Sequence, residues 1–327
     1  MISIKMTNKK YNFMFDRKNL LILFFFFLII NYLFFNYRIL TRENGYILGD
    51  WLVNYNGGFV RRGLLGHFFF NLSKFLNISI INIIYFFSSF IYISTLFLFY
   101  KIIKNKLSNN IILIFIFLPS TFLFNFFDPL TVGRKEILVF FLFLIYFIHL
   151  DKNFFIIKII IYFLSIIFLL THEIIFFCLP YLFLLKYLHL KKENKNQFNY
   201  NNYYLEIFIL LSGILLIFVI LKFSNSHNNI LLCSSLAEVS IGKNVCYGTI
   251  NDLKEPSFFV PLWDYFLDRN YLFNYTLYIS LTLFPLFYIY LNLNNKKFSK
   301  QIILLSLFCF LFSLMFILRV NDWGRYL

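Results

Sequence analysis

The sequence predicts an all-α, polytopic integral membrane protein of about nine transmembrane helices, with an amphipathic interfacial helix in the first outer loop. Three observations lead there. The 327 residues are 60% hydrophobic, with a mean hydropathy of +0.74, against about 45–50% apolar residues in a soluble domain. Runs such as Leu20 to Ile30 and Ile111 to Leu118 show no polar alternation, so burial of one face cannot explain them, whereas lipid on one side and protein on the other can. Apart from Lys158, which lies inside an apolar run, the charged residues fall between these runs or at their ends.

Residues 1–18 form a basic tail and 19–327 a single multi-span membrane domain. The tail and the apolar run at 19–37 resemble a signal peptide, but the run is long and no small-residue cleavage site follows, so it reads as a retained first span. A spanning helix needs about 20 mainly apolar residues. The further candidates are 78–100, 110–127, 137–150, 153–170, 174–188, 204–223, 271–292 and 301–319. The segments at 137–150 and 174–188 are short, and with 153–170 they leave a partly re-entrant arrangement open. Outer loops then cover about 38–77, 128–136, 171–173 and 224–270. No soluble domain, linker or repeat stands out. The chain stops two residues after Arg325, an end compatible with truncation.

Charge sets the orientation. With the N-terminus inside, the inner segments hold 16 basic and four acidic residues, and the outer ones 13 basic and 11 acidic. The margin in Lys and Arg agrees with the positive-inside rule. Residue type separates the sides better. Inner cations are nearly all Lys, while Arg38, Arg42, Arg61, Arg62, Arg134, Arg269, Arg319 and Arg325 all fall outside. Arg grips phosphate or carboxylate with a planar fork, and Lys acts as a solvated point charge. The net charge of +15 is therefore topological and chemical, and nucleic acid is not the expected partner.

Four polar clusters fall on the outer side. The first, Gly49 to Gly63, carries Asp50, the Gly57-Gly58 pair and the adjacent Arg61 and Arg62. Glycines allow a tight turn or close ligand approach. Asp50 suits a base or a metal ligand, and the arginines suit a phosphate. The alternative is an interfacial loop anchored by Trp51 and Arg. From Gly63 to Leu76, apolar residues at 64, 65, 68, 69, 72, 75 and 76 oppose His67, Asn71 and Lys74, the spacing of an interfacial amphipathic helix; an early start to the second span is the other reading. The second cluster runs from Asp128 to Glu136 and includes Arg134 and Lys135. A plain turn needs Pro and Gly but not this density of charge. The third, His172-Glu173, is either a surface turn or an acid/base pair; without HExxH spacing it is no zinc signature. The fourth, Arg319 to Tyr326, repeats the Asp-Trp, Gly and Arg of the first.

Four cysteines make no disulfide framework. Cys178 and Cys309 sit in apolar runs and read as core. Cys233 and Cys246 share the long outer loop, where an oxidising compartment favours a bridge; two free thiols in a helical loop are the alternative.

The acidic first outer loop with its amphipathic helix, and the second acidic loop after the third span, resemble the C-type glycosyltransferase superfamily. The Phe-, Ile- and Leu-rich composition and the scattered outer Arg also look like bacterial O-antigen polymerases, and the Phe/Ile/Asn/Lys bias is similar to that of an AT-rich bacterial gene. The resemblance implies polyprenyl-phosphate-linked saccharide as substrate at the outer face of the bacterial inner membrane, with membrane lipid and polysaccharide-assembly proteins as partners. It implies Asp50 as base or metal ligand, and Asp128 or Glu136 as the second acid. The expected catalytic set is Asp50, Asp128, Glu136, His172 and Glu173, with Arg61, Arg62, Arg134, Lys135 and Arg325 for phosphate. No cofactor is evident, and a divalent metal stays open. Alternatives are a lipid-linked single-sugar transferase and, from another class, a transporter or flippase for a polysaccharide precursor. Charge gathered at one face, rather than at the bilayer midplane, favours the enzyme.

Overall fold

In the computed structural model, the described residues are 17–105, 116, 132–150, 154–193, 203–223 and 229–252. Among them every regular element is helical. The long helix α1 spans Arg17–Thr41, and the short α2 spans Ile47–Leu52. Next come α3 at Gly63–Leu76 and α4 at Ile80–Ile103. Then follow α5 at Ile137–Ile148, α6 at Phe155–Thr171, α7 at Ile174–Cys178 and α8 at Pro180–Lys192. Finally come α9 at Tyr204–Phe223, α10 at Asn229–Ala237, a 3-10 turn at Lys243–Tyr247 and α11 at Thr249–Asp252.

Among the described residues, three helical stretches are long and apolar enough to cross a membrane: Arg17–Thr41, Ile80–Ile103 and Ile174–Lys191. Shorter apolar helices lie at Ile137–Ile148, Phe155–Thr171 and Tyr204–Ile220. The spans expected at 110–127, 271–292 and 301–319 lie outside the described residues, apart from Ile116. The stretch from 174 is broken at Leu179, and Pro180 opens its second part at the first helical position, where its missing N–H costs nothing.

The burial pattern of α1 shows why such helices carry no polar stripe. Leu21, Phe25, Leu28, Tyr32, Asn36, Ile39 and Leu40 form one buried line at helical spacing, while Leu23, Phe26, Phe27, Ile30 and Phe34 are exposed. An apolar outward face is stable against lipid and not against water. Helix α4 packs between α1 and α5, α5 packs on α6, and α6 packs on α9. Tyr32 stacks on Tyr92 with ring centroids 3.8 Å apart. Asn36 Nδ2 donates to Ser88 Oγ at 2.9 Å, a polar tie of the kind that joins helices where water is absent.

Helix α3 fills the 63–76 span of the amphipathic pattern and touches α2, α4 and α6. Its polar positions Asn71 and Lys74 are exposed, as that pattern expects, and the apolar arc opposite them divides between protein and an outward face. Leu65 and Phe69 turn into the protein together with Gly66, Phe70 and Ser73, whereas Phe68, Phe75 and Leu76 are exposed. Gly66 is why α3 can lie so close: a Cβ there would sit 1.9 Å from the Val53 carbonyl oxygen.

Candidate functional site

The site is built on three connections at one end of these helices: the loop after α1, the turn before α5 and the turn between α6 and α7. In the first, α2 is buried along its whole length and presents Asp50 and Trp51. Trp51 is 0% exposed, so it is not the interfacial anchor that a membrane-edge Trp would be. Its Nε1–H donates to the Gly133 carbonyl at 2.5 Å, and its ring packs edge-on against Phe87 at 6.0 Å. Trp51 thereby ties the Asp50 loop to the 132–136 turn. Gly133 has φ +82°, and a Cβ there would meet Asn36 Oδ1 at 2.3 Å, so close packing and a left-handed backbone both call for glycine.

After α2 the chain reverses. Asn54 is fully buried and its Oδ1 accepts the Asn56 N–H at 2.9 Å, an Asx turn. Gly58 follows at φ 107°. Tyr55 stacks on Phe59 at 5.5 Å, and burial pushes its phenol up to about 12. The reversal ends at Arg62, which holds φ 66°, ψ 7° as the residue before α3. A long side chain in the left-handed region is strained and persists only where its surroundings over-determine it.

Those surroundings are ionic. The Arg62 guanidinium makes a two-pronged pair with Glu173, Nε to Oε2 and Nη2 to Oε1, both at 2.7 Å. Its Nη1 lies 3.5 Å from Asp50 Oδ1. Arg61 Nη1 lies 3.7 Å from Glu173 Oε1 and is the more exposed of the two arginines. Lys135 is 0% exposed. Its Nζ donates to the carbonyls of Arg62 and Thr171, each at 3.3 Å, and stands 3.9 Å from Asp50 Oδ1 and 5.5 Å from the Trp51 ring centroid. His172 Nε2 is 4.0 Å from Glu136 Oε1, and His172 Nδ1 accepts the Ile174 N–H at 3.3 Å. That bond leaves the ring proton on Nε2, facing the carboxylate.

The sum is a buried cluster in which charge is nearly balanced, and its titration follows from that. Burial acts to raise the pKa of Asp50, but Lys135, His172 and Arg62 outweigh it and hold the carboxyl below its ordinary value. Burial likewise acts to raise Glu173, and the Arg62 charge and hydrogen bonds hold it far below the usual carboxylate range. Burial pulls Lys135 down to about 8, with Asp50 opposing. Burial and Arg62 lower His172, with Asp50, Glu136 and Glu173 opposing. Asp50 Oδ1 is buried with no hydrogen-bond donor among the described residues, facing cations only at ion-pair distance.

Of the residues singled out in the sequence, the structure joins Asp50, Arg61, Arg62, Lys135 and Glu173 in one network, with the Glu136–His172 pair beside it. Arg134 sits partly buried in the same turn. Asp128 and Arg325 lie outside the described residues. Lys135 has the surroundings of an internal strut rather than of a phosphate arm. Among the described residues no three His, Cys, Asp or Glu side chains are grouped to hold a metal ion.

A second layer was not legible in the sequence. Cys233 and Cys246 are joined by a disulfide, with Cα atoms 6.0 Å apart, and the segment they brace packs onto α2. Thr249 N–H donates to the Gly45 carbonyl at 3.1 Å, Thr249 Oγ1 to the Tyr46 carbonyl at 2.7 Å, and Gly242 N–H to Glu43 Oε2 at 3.1 Å. A Cβ on Gly248 would sit 2.1 Å from the Gly45 carbonyl carbon. Lys74 pairs with Glu238 at the edge. The only hint in the sequence was the cysteine pair, which gives no address for the surface it braces.

No family model, no curated protein and no solved structure matches the chain. The functional reading therefore rests on the site.

Proposed function

We propose that this chain transfers a sugar, or a whole repeat unit, from a polyprenyl-phosphate carrier at the outer face of the bacterial inner membrane during O-antigen or capsule assembly. Repeat-unit polymerisation is favoured over addition of a single sugar. The proposal includes the nine-span architecture with a cytoplasmic N-terminus, which places the Asp50 cluster outside, and polysaccharide-assembly proteins as partners. The single observation that carries it is the Asp50 carboxylate: buried, ionised, set between two cations, and with one oxygen that accepts no hydrogen bond among the described residues.

In this reading an acceptor hydroxyl donates to the Asp50 carboxylate. As the acceptor oxygen bonds to the anomeric carbon its proton grows acidic and passes to Asp50, so a carboxylate of depressed pKa still serves as the base. The bond between the anomeric carbon and the phosphate oxygen breaks, and its electron pair leaves with the diphosphate. Arg61 and Arg134 offset that charge where it develops, and Arg325 belongs to the same proposal. The Arg62–Glu173 fork and Lys135 hold Asp50 in place.

A carrier-lipid analysis in a deletion strain tests the reaction. Accumulation of single complete repeat units at the outer leaflet means polymerase, an incomplete unit means single-sugar transferase, and complete units held at the inner leaflet mean a flippase. Complementation tests the residue. Asp50→Asn keeps the shape and removes the base, so polysaccharide laddering falls by about 10²–10⁴-fold while the protein stays in the membrane. Normal laddering removes Asp50 from the mechanism.

A further inference from the structure

Away from the Asp50 cluster, a groove of about 420 Å3 runs between α1 and α4. It is lined by Leu33, Phe34, Tyr37, Arg38, Thr41 and Tyr85. Tyr37 and Tyr85 meet edge to face at 5.5 Å, and Phe34 and Tyr37 are exposed. Thr41 turns its hydroxyl back to the Tyr37 and Arg38 carbonyls, so it offers no free donor to the groove. Arg38 is exposed, and among the described residues its guanidinium has neither a hydrogen-bond nor an ion-pair partner. Arg42, also exposed, follows one turn later.

The depth of this groove is set by α1. Arg17 and Arg38, near the two ends of the helix, are about 32 Å apart at a rise of 1.5 Å per residue. The hydrocarbon core of a bilayer is about 30 Å thick. With Arg17 at one boundary, Arg38 reaches the other, at the level of lipid phosphates, and the apolar groove below it faces acyl chains. The helix dipole accounts for a cation in the last turn but not for an aromatic-walled groove beneath it.

We propose that this groove is a binding site for an anionic glycerophospholipid. One acyl chain lies between α1 and α4 against Phe34 and Tyr85, and the phosphate is taken by the Arg38 fork, with Arg42 adding positive charge. The site is separate from the Asp50 cluster and stands whether or not that cluster transfers sugars. Charge complementarity selects the occupant: a guanidinium with five donors matches a phosphodiester oxygen pair, and tyrosine suits the boundary where one end of the ring is apolar and the other wet.

The test uses the full chain reconstituted in phosphatidylcholine vesicles doped with phosphatidylglycerol that carries a photoactivated diazirine on its acyl chain. Adducts are mapped by peptide mass spectrometry. They are expected on the 33–41 and 85 segments in preference to exposed Phe26, Phe27 and Phe97 on the same two helices. Arg38→Gln is expected to cut groove labelling about tenfold, as for loss of a charge-assisted hydrogen bond, with Arg38→Lys intermediate. Excess inorganic phosphate is expected to leave labelling unchanged, because the chain contributes to binding. Labelling spread evenly over both helices overturns the site, as does equal groove labelling by a diazirine diacylglycerol lacking the phosphate. The latter comparison uses the unaltered protein and so does not depend on the variants folding.

Discussion

Arg62 in the left-handed region carries a strain of order 1–3 kcal/mol, and its fork on Glu173 is what offsets that strain. Arg62→Ala leaves a buried carboxylate without its fork, and Glu173→Gln leaves the opposite charge; each is expected to destabilise by about 3–5 kcal/mol. The double variant should lose less than the sum, because neither charge is then stranded. A cycle of unfolding measurements in mixed micelles reads this, and strict additivity would show that the two do not act as a pair. The pH dependence has two limbs. Glu173 has a folded pKa far below its free value of 4.5, so its stabilisation is present above that value and lost as pH falls into the acid range. Lys135 is lowered from 10.5 to about 8, so its buried charge costs stability below about pH 8, and that cost is relieved as pH rises from there to the free value. Thermal unfolding across pH should show both limbs, and Lys135→Met should flatten the alkaline one alone. The polar types were legible in the sequence as dense clusters between apolar runs. The interior position of Lys135 was not, because its two acceptors, the carbonyls of Arg62 and Thr171, come from segments far apart in the chain.

Helix α3 shows where periodicity informs and where it misleads. Its extent at 63–76 follows from spacing that any helix would show. Which part of the apolar arc faces protein does not, because lipid accepts the rest of it: Phe69 is buried, and Phe75 is 83% exposed. The small residues, Gly66 and Ser73, mark the protein side, since close backbone approach needs them. The Cys233–Cys246 segment is the other element with a measurable role. Removing the bridge by Cys233→Ser should lower stability by roughly 3 kcal/mol, on the chain-entropy account of a loop of about 15 residues. Alkylation should modify Cys233 and Cys246 only after reduction, and labelling of both without reductant would show the bridge to be unformed. Because Thr249 and Gly242 bond to the 43–46 stretch beside α2, the same variant should weaken the site as well as the loop.

Across the whole molecule, long apolar runs located the helices well. Runs expected at 19–37, 78–100 and 204–223 coincide closely with α1, α4 and α9, because uninterrupted apolar stretches leave a chain in lipid no other way to satisfy its backbone. The order in which helices pack was not legible, since it depends on partners distant in sequence, whereas the break at Leu179 has a local cause in Pro180. Orientation is tested by reporter fusions: those at Asn109 and Asn194 should be cytoplasmic and one at Asn251 periplasmic, and an active periplasmic reporter at Asn194 would invert the proposal. The contact between Thr249 and Tyr46, 203 residues apart, also sets a schedule. At about 5–20 residues per second, the ribosome needs roughly 10–40 s after making the Asp50 loop to deliver the segment that covers it. During that interval α2 waits half-dressed, its Gly45–Tyr46 carbonyls open to any other donor. The nascent protein thus has a window of vulnerability that closes only when the later segment has arrived, so chaperones or proteases that patrol newly inserted chains would meet the site before it is complete.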